Sequence, residues 1–167
     1  AGWLFYTFSF VSVLTLLPPF LDPALRATVM TAMPLTSIVV SMTLGVALLR
    51  VMPAVRVIEL GFAFSALCMI WLWAVPAAPW ACIALAGGLG LVQGASFAAV
   101  PQLNDNAATQ AQANGAMAQM GNLGNTLGTP VIAMAIAGLG YSALPLLVAV
   151  VLAVGGLAHL LLGYARR

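Results

Sequence analysis

The stretch ALPLLVAVVLAVGGLAHLLLGY, residues 143–164, contains no Asp, Glu, Lys or Arg. The hydrocarbon core of a bilayer is about 30 Å thick, so a helix needs about 20 mostly apolar residues to cross it. This stretch meets both conditions. Working outward from it, five further apolar stretches follow, and the expected spans are 2–21, 27–49, 57–75, 80–103, 113–139 and 143–164. Only 5% of the 167 residues are charged, 63% are hydrophobic, and the mean hydropathy is +1.12. A dispersed soluble domain carries charge on about a quarter to a third of its surface. These values exclude that class and predict an all-α membrane protein. Residues 1–167 are read as a single bundle of six transmembrane helices.

The connections fit this division. Pro18 and Pro19 close the first span, Asp22, Pro23 and Arg26 turn the chain, and Arg50, Pro53 and Arg56 form the next loop. Trp71, Trp73 and Trp80 flank the turn at 76–79, as an interfacial aromatic belt would. Residues 104–112 form the longest polar stretch and are expected to be a loop. With six spans, both ends lie on one side of the membrane. Arg50, Arg56, Arg166 and Arg167 share that side, while Arg26 stands alone on the other. The positive-inside rule then places both termini in the cytoplasm, with the chain in an inner or plasma membrane. The chain starts at Ala1 with no basic region before its first span. It therefore does not read as a signal peptide, and the chain is expected to be a piece or half of something larger.

Several classes of chemistry are excluded. The net charge of +2 comes with no basic cluster to follow a phosphate backbone. One histidine, His159, two scattered cysteines, Cys68 and Cys82, and three acids cannot assemble a metal site, a triad or an acid–base pair. No enzyme activity, cofactor or metal is expected. Glu59 follows Arg56 by three residues and reads as a helix-end ion pair; no acid occupies the middle of a span.

The fifth span carries the most information. Gln119, Asn122, Thr126 and Thr129 are spaced three, four and three apart and so share one helical face, with Asn125 at its border. Gly121, Gly124 and Gly128 lie on another face. Small residues let membrane helices approach closely, so the glycine face reads as a packing seam and the amide face as the lining of a wet cavity. The fourth span repeats the design with Gly90 and Gly94 for packing and Gln93 beside them. Ser37 in the second span and Tyr6 in the first complete the candidate substrate-facing set.

Three stretches carry a family resemblance. Gly94-Ala95-Ser96-Phe97-Ala98-Ala99-Val100-Pro101 and Gly115-Ala116-Met117-Ala118-Gln119-Met120-Gly121-Asn122-Leu123-Gly124-Asn125-Thr126-Leu127-Gly128-Thr129-Pro130 resemble the tenth and eleventh helices of major facilitator superfamily transporters. The loop containing Gly45, Arg50 and Arg56 resembles a degenerate copy of that family's cytoplasmic loop motif, with Leu48 and Leu49 where an acid would stand. The resemblance covers the whole chain as the C-terminal half, helices seven to twelve. It implies two inverted three-helix repeats and a midplane site between two bundles. The expected function is secondary transport of a small solute by alternating access. The implied partners are the bilayer, the solute, and an N-terminal six-helix half on the same or another polypeptide, or a second copy. A homo-oligomeric channel or a non-transporting membrane scaffold is the alternative.

Overall fold

The computed structural model describes residues 2–165; Ala1 and the two arginines at 166 and 167, which contribute to the orientation argument, lie outside the described residues. The elements are α1 (Gly2–Leu16), a 3₁₀ turn (Pro18–Phe20), α2 (Pro23–Leu49), α3 (Ala54–Ala74), α4 (Pro79–Leu103), α5 (Ala107–Leu139) and α6 (Ala143–Ala165). The fold is all-helical among the described residues.

Local chemistry sets the boundaries. Pro18 and Pro19 lack the amide hydrogens that would extend α1, so the chain tightens into one 3₁₀ turn. Asp22 starts α2 by accepting from the Ala24 amide at 2.8 Å, with Pro23 at the first helical position. Asn106 does the same for α5, accepting from the Thr109 amide at 2.9 Å. That cap corrects one expectation: much of the polar stretch 104–112 is helix, because Asn106 and the alanine-rich residues after it favour a helical start.

A second correction concerns the spans. Four helices, α2, α3, α4 and α6, are long and apolar enough to cross a membrane unaided. Of the six expected, α1 and α5 do not qualify alone. α1 has 15 described residues, about 22 Å of rise, and ends before the proline pair. α5 has 33 residues, about 50 Å, but its amides and glycines dilute its apolar content.

The chain is membrane-embedded. Leu35, Ile38, Val39 and Met42 of α2, Leu60, Phe64 and Leu67 of α3, and Leu157 and Leu161 of α6 are exposed, which water would penalise and acyl chains do not. Trp71, Trp73 and Trp80 are exposed around the α3–α4 turn.

The helices pair selectively. α3 packs on α4 and α6, α1 on α5 and α6, and α2 on α4. The core holds Val13, Ile58, Phe62, Met69, Leu85, Leu89, Ile132, Val148 and Leu152. Cys68 and Cys82 are buried free thiols within it. Close approach depends on small residues. A methyl group on Gly61 would come within 2.7 Å of Val92 and 3.1 Å of the Gly88 carbonyl, so the α3–α4 seam needs glycine there.

The two ends of the bundle are tied differently. At one end the Tyr141 hydroxyl donates to the Leu72 carbonyl at 3.2 Å and accepts from the Ala77 amide at 3.4 Å. Its ring tilts against Phe20 at 4.8 Å. One side chain thus joins the turns after α1, α3 and α5. Ala77 has a left-handed backbone, φ 61°, a conformation that costs a residue with a Cβ about 1–2 kcal/mol. Burial raises the Tyr141 pKa, and the Ala77 amide opposes that shift. At the other end Gln102 accepts from the Ala54 amide at 2.9 Å, joining the end of α4 to the start of α3. Arg56 is exposed and Glu59 half-buried there. The expected ion pair between them is not formed among the described residues, because water serves both groups at a helix end at little loss.

Candidate functional site

α5 is two-sided, and the two sides follow from its sequence. Gly121, Gly124, Gly128 and Ile132 are its buried residues. They form a seam on α1. A Cβ on Gly121 would come within 2.8 Å of the Trp3 indole nitrogen. One on Gly124 would run into Thr7 and reach 2.9 Å from the Phe8 amide. One on Gly128 would come within 2.7 Å of the Ser12 hydroxyl. The hydroxyls on the α1 side are spent within their own helix. Thr7 donates to the Trp3 and Leu4 carbonyls, both at 3.1 Å, and Ser12 to the Phe8 carbonyl at 2.6 Å. The seam is therefore a backbone-to-backbone contact, as small-residue pairing predicts.

The opposite side is open. Gln119, Asn122, Asn125 and Thr126 are exposed, and Thr129 is half-buried. Thr126 donates to the Asn122 carbonyl at 2.8 Å, which leaves the three amide side chains and the Thr129 hydroxyl as the donors and acceptors of this face. Glycine at every fourth or third position on one side, with amides between, lets one helix be pressed flat against α1 and remain polar outward.

The other candidates separate from this group. Gln93 of α4 is half-buried. Ser37 is buried where α2 meets α4, and a Cβ on Gly90 would run into the Ser37 backbone. Gly94 likewise faces Ser41. Ser37 therefore sits in helix packing, away from the open amides. Tyr6 is 3% exposed and stacks between Trp3 at 4.8 Å and Phe10 at 5.6 Å.

Two aromatic residues by the glycine seam are absent from the sequence-based set. Trp3 packs edge-on against Phe97 at 5.1 Å and also lies against Gly121. This pair brings α1, α4 and α5 together at the Gly121 end of the seam, and Phe97 is 52% exposed. Aromatic faces and edges of this kind can hold a flat or cationic ligand group. Two shallow depressions lie elsewhere. One, of about 460 Å³, is lined by Ala27, Thr28, Thr31, Ala32 and Leu35 on α2. The other, of about 330 Å³ between α3 and α6, includes Glu59, Ala63 and Gly156. Neither borders the amides. No group of three or more potential metal ligands occurs among the described residues.

Comparison with models of known protein families gives no match, and comparison with curated proteins gives none either.

Proposed function

We propose that this chain is one six-helix bundle of a secondary transporter of the major facilitator type, moving a small polar solute by alternating access. The observation that carries the reading is the exposed amide face of α5, Gln119, Asn122, Asn125 and Thr126, backed by a glycine seam on α1. In lipid each unsatisfied polar group costs several kcal/mol. A face of this kind therefore needs water, solute or a second bundle opposite it. We assign that position to an N-terminal six-helix half or a second copy.

Helix pairing supports the two-repeat architecture. Exchanging α1, α2 and α3 for α4, α5 and α6 carries the α1–α5 pair onto α4–α2 and the α3–α4 pair onto α6–α1, and leaves α3–α6 unchanged. All of these pairings are present. Helices related by the exchange run in opposite directions, which is the relation of inverted repeats. The amides, each both donor and acceptor, suit a polar or zwitterionic solute, and Trp3 and Phe97 extend the site with aromatic surface.

The test is solute uptake into liposomes, with and without the same solute on the far side. Acceleration by far-side solute, lost in Asn122→Leu, supports a carrier. Non-saturating flux without acceleration points to a pore. Absence of flux across polar metabolite panels, with the folded state intact, points to a scaffold.

A further inference from the structure

We infer that α2 carries a built-in hinge at the π-helical turn Ser41–Gly45, about which its last turn swings at the Gln102 end of the bundle. The turn interrupts an otherwise α-helical segment, Pro23–Leu49. A π turn holds one extra residue in the coil, loosens the hydrogen-bond ladder and permits a bend.

Its surroundings differ sharply on the two sides. Before it, Val29, Met33 and Ser37 are buried against the bundle. The Ser37 backbone lies so close to Gly90 that no Cβ fits between them, whereas Ser41 meets Gly94 through its side-chain hydroxyl, with its Cα 3.8 Å from the Cβ position. α2 is thus held on α4 through the π turn, whose last residue, Gly45, is buried with a Cβ position 3.7 Å from the Leu91 side chain. After it, Val46–Leu49 contains no buried residue. Leu48 and Leu49 are half-buried and pack against the core, while Val46 and Ala47 are exposed. The Ser41 amide bonds to Ser37 and Ile38, the Val46 amide to Thr43, and the Thr43 hydroxyl clamps the Val39 carbonyl at 2.6 Å. Ser37 Oγ, beside the pin, is buried without a partner, so a local shift there breaks no side-chain bond.

The rest of the bundle makes this the movable corner. The far end is laced by Tyr141 across three turns. At the near end Gln102 ties α3 to α4. No hydrogen bond outside α2 and its own following turn holds residues 46–49 among the described residues. The five residues from Val46 to Arg50 make a lever of about 7 Å, and a bend of about 20° moves its tip by about 2.5 Å.

Pulsed electron–electron resonance on the full natural chain in lipid nanodiscs tests this, with Cys68→Ala and Cys82→Ala as background. Spin labels go at Leu103 paired with Val39, before the turn, or with Arg50, beyond it. The expected result is a narrow distribution for the 39/103 pair and one broader by about 2.5 Å for the 50/103 pair. Equal widths overturn the proposal: both broad means α2 moves as a rigid rod, both narrow that it does not bend. Deleting Met42, which is 70% exposed, removes the extra residue without touching the core. It should narrow the 50/103 distribution to the width of the 39/103 pair, and an unchanged width refutes the hinge. If the deletion variant does not fold, the two native pairs decide alone.

Discussion

Gly124→Ala is the sharpest probe of the α1–α5 seam. Its added methyl would run into the Thr7 hydroxyl and approach two α1 backbone atoms, the Leu4 carbonyl at 2.5 Å and the Phe8 amide at 2.9 Å. A flexible side-chain tip can turn aside, but a helix backbone cannot, so α1 and α5 must separate along the seam. Overpacking of this kind costs about 1–3 kcal/mol. Alanine returns up to about 1 kcal/mol of helix propensity where the helix is solvated, which leaves a net loss of about 1–2 kcal/mol. For a chain of this size each kcal/mol lowers the melting temperature by about 2–4 °C, so the expected drop is about 2–8 °C. Gly115→Ala is the matched control, since nothing lies within 4 Å of its added methyl. It should hold or slightly raise the melting temperature. Unfolding in detergent can be followed with a thiol-reactive fluorophore, because Cys68 and Cys82 are both buried and free. Equal melting temperatures for the two variants would refute the claim that the glycine face is the seam.

Gln102→Ala should strand the amide of the fully buried Ala54, at about 1–3 kcal/mol, read as a lower melting temperature that Gln102→Glu partly restores. Tyr141→Phe removes both bonds of the lacing hydroxyl and should cost about 1–3 kcal/mol at neutral pH. Because burial raises the folded pKa of Tyr141 above the ordinary tyrosine value of about 10, its stabilisation is complete below that pH and fades as pH climbs past it. Thermal unfolding between pH 8 and 11 should therefore show an alkaline decline that is smaller in Tyr141→Phe. Asn122→Leu should leave the unfolding free energy within about 0.5 kcal/mol of the native chain, since Asn122 is exposed, while uptake is lost; a large stability change would mean that Asn122 is a packing residue.

Much of the fold was legible because hydropathy and helical period are local. The α4 and α6 boundaries fall within a residue of expectation, and the division of α5 into a glycine side and an amide side follows from three- and four-residue spacing. The start of α5 was legible in principle, since Asn106 precedes a helical run with Thr109 three residues on, but polarity masked the cap. Partner choice was not legible. Nothing in the spacing of Gly121, Gly124 and Gly128 names α1 as their partner, and nothing in Trp3 announces Phe97. Both meetings depend on how six helices arrange in three dimensions. Ser37 illustrates the same limit: its face was readable, but whether that face met a cavity or Gly90 was not. The π turn had no clear signature, because one surplus residue leaves the apolar pattern nearly intact.

A segment bearing Gln119, Asn122 and Asn125 enters lipid reluctantly by itself, since polar side chains at mid-bilayer disfavour partitioning. During synthesis α1 emerges four helices earlier, carrying the surface that the glycines of α5 fit. On this geometry α5 is held in the bundle by docking on α1 more than by its own greasiness. Versions of the chain lacking Gly2–Leu16 should consequently leave α5 untethered at the insertion machinery and open to quality-control proteases, even though the four strongly apolar helices still insert.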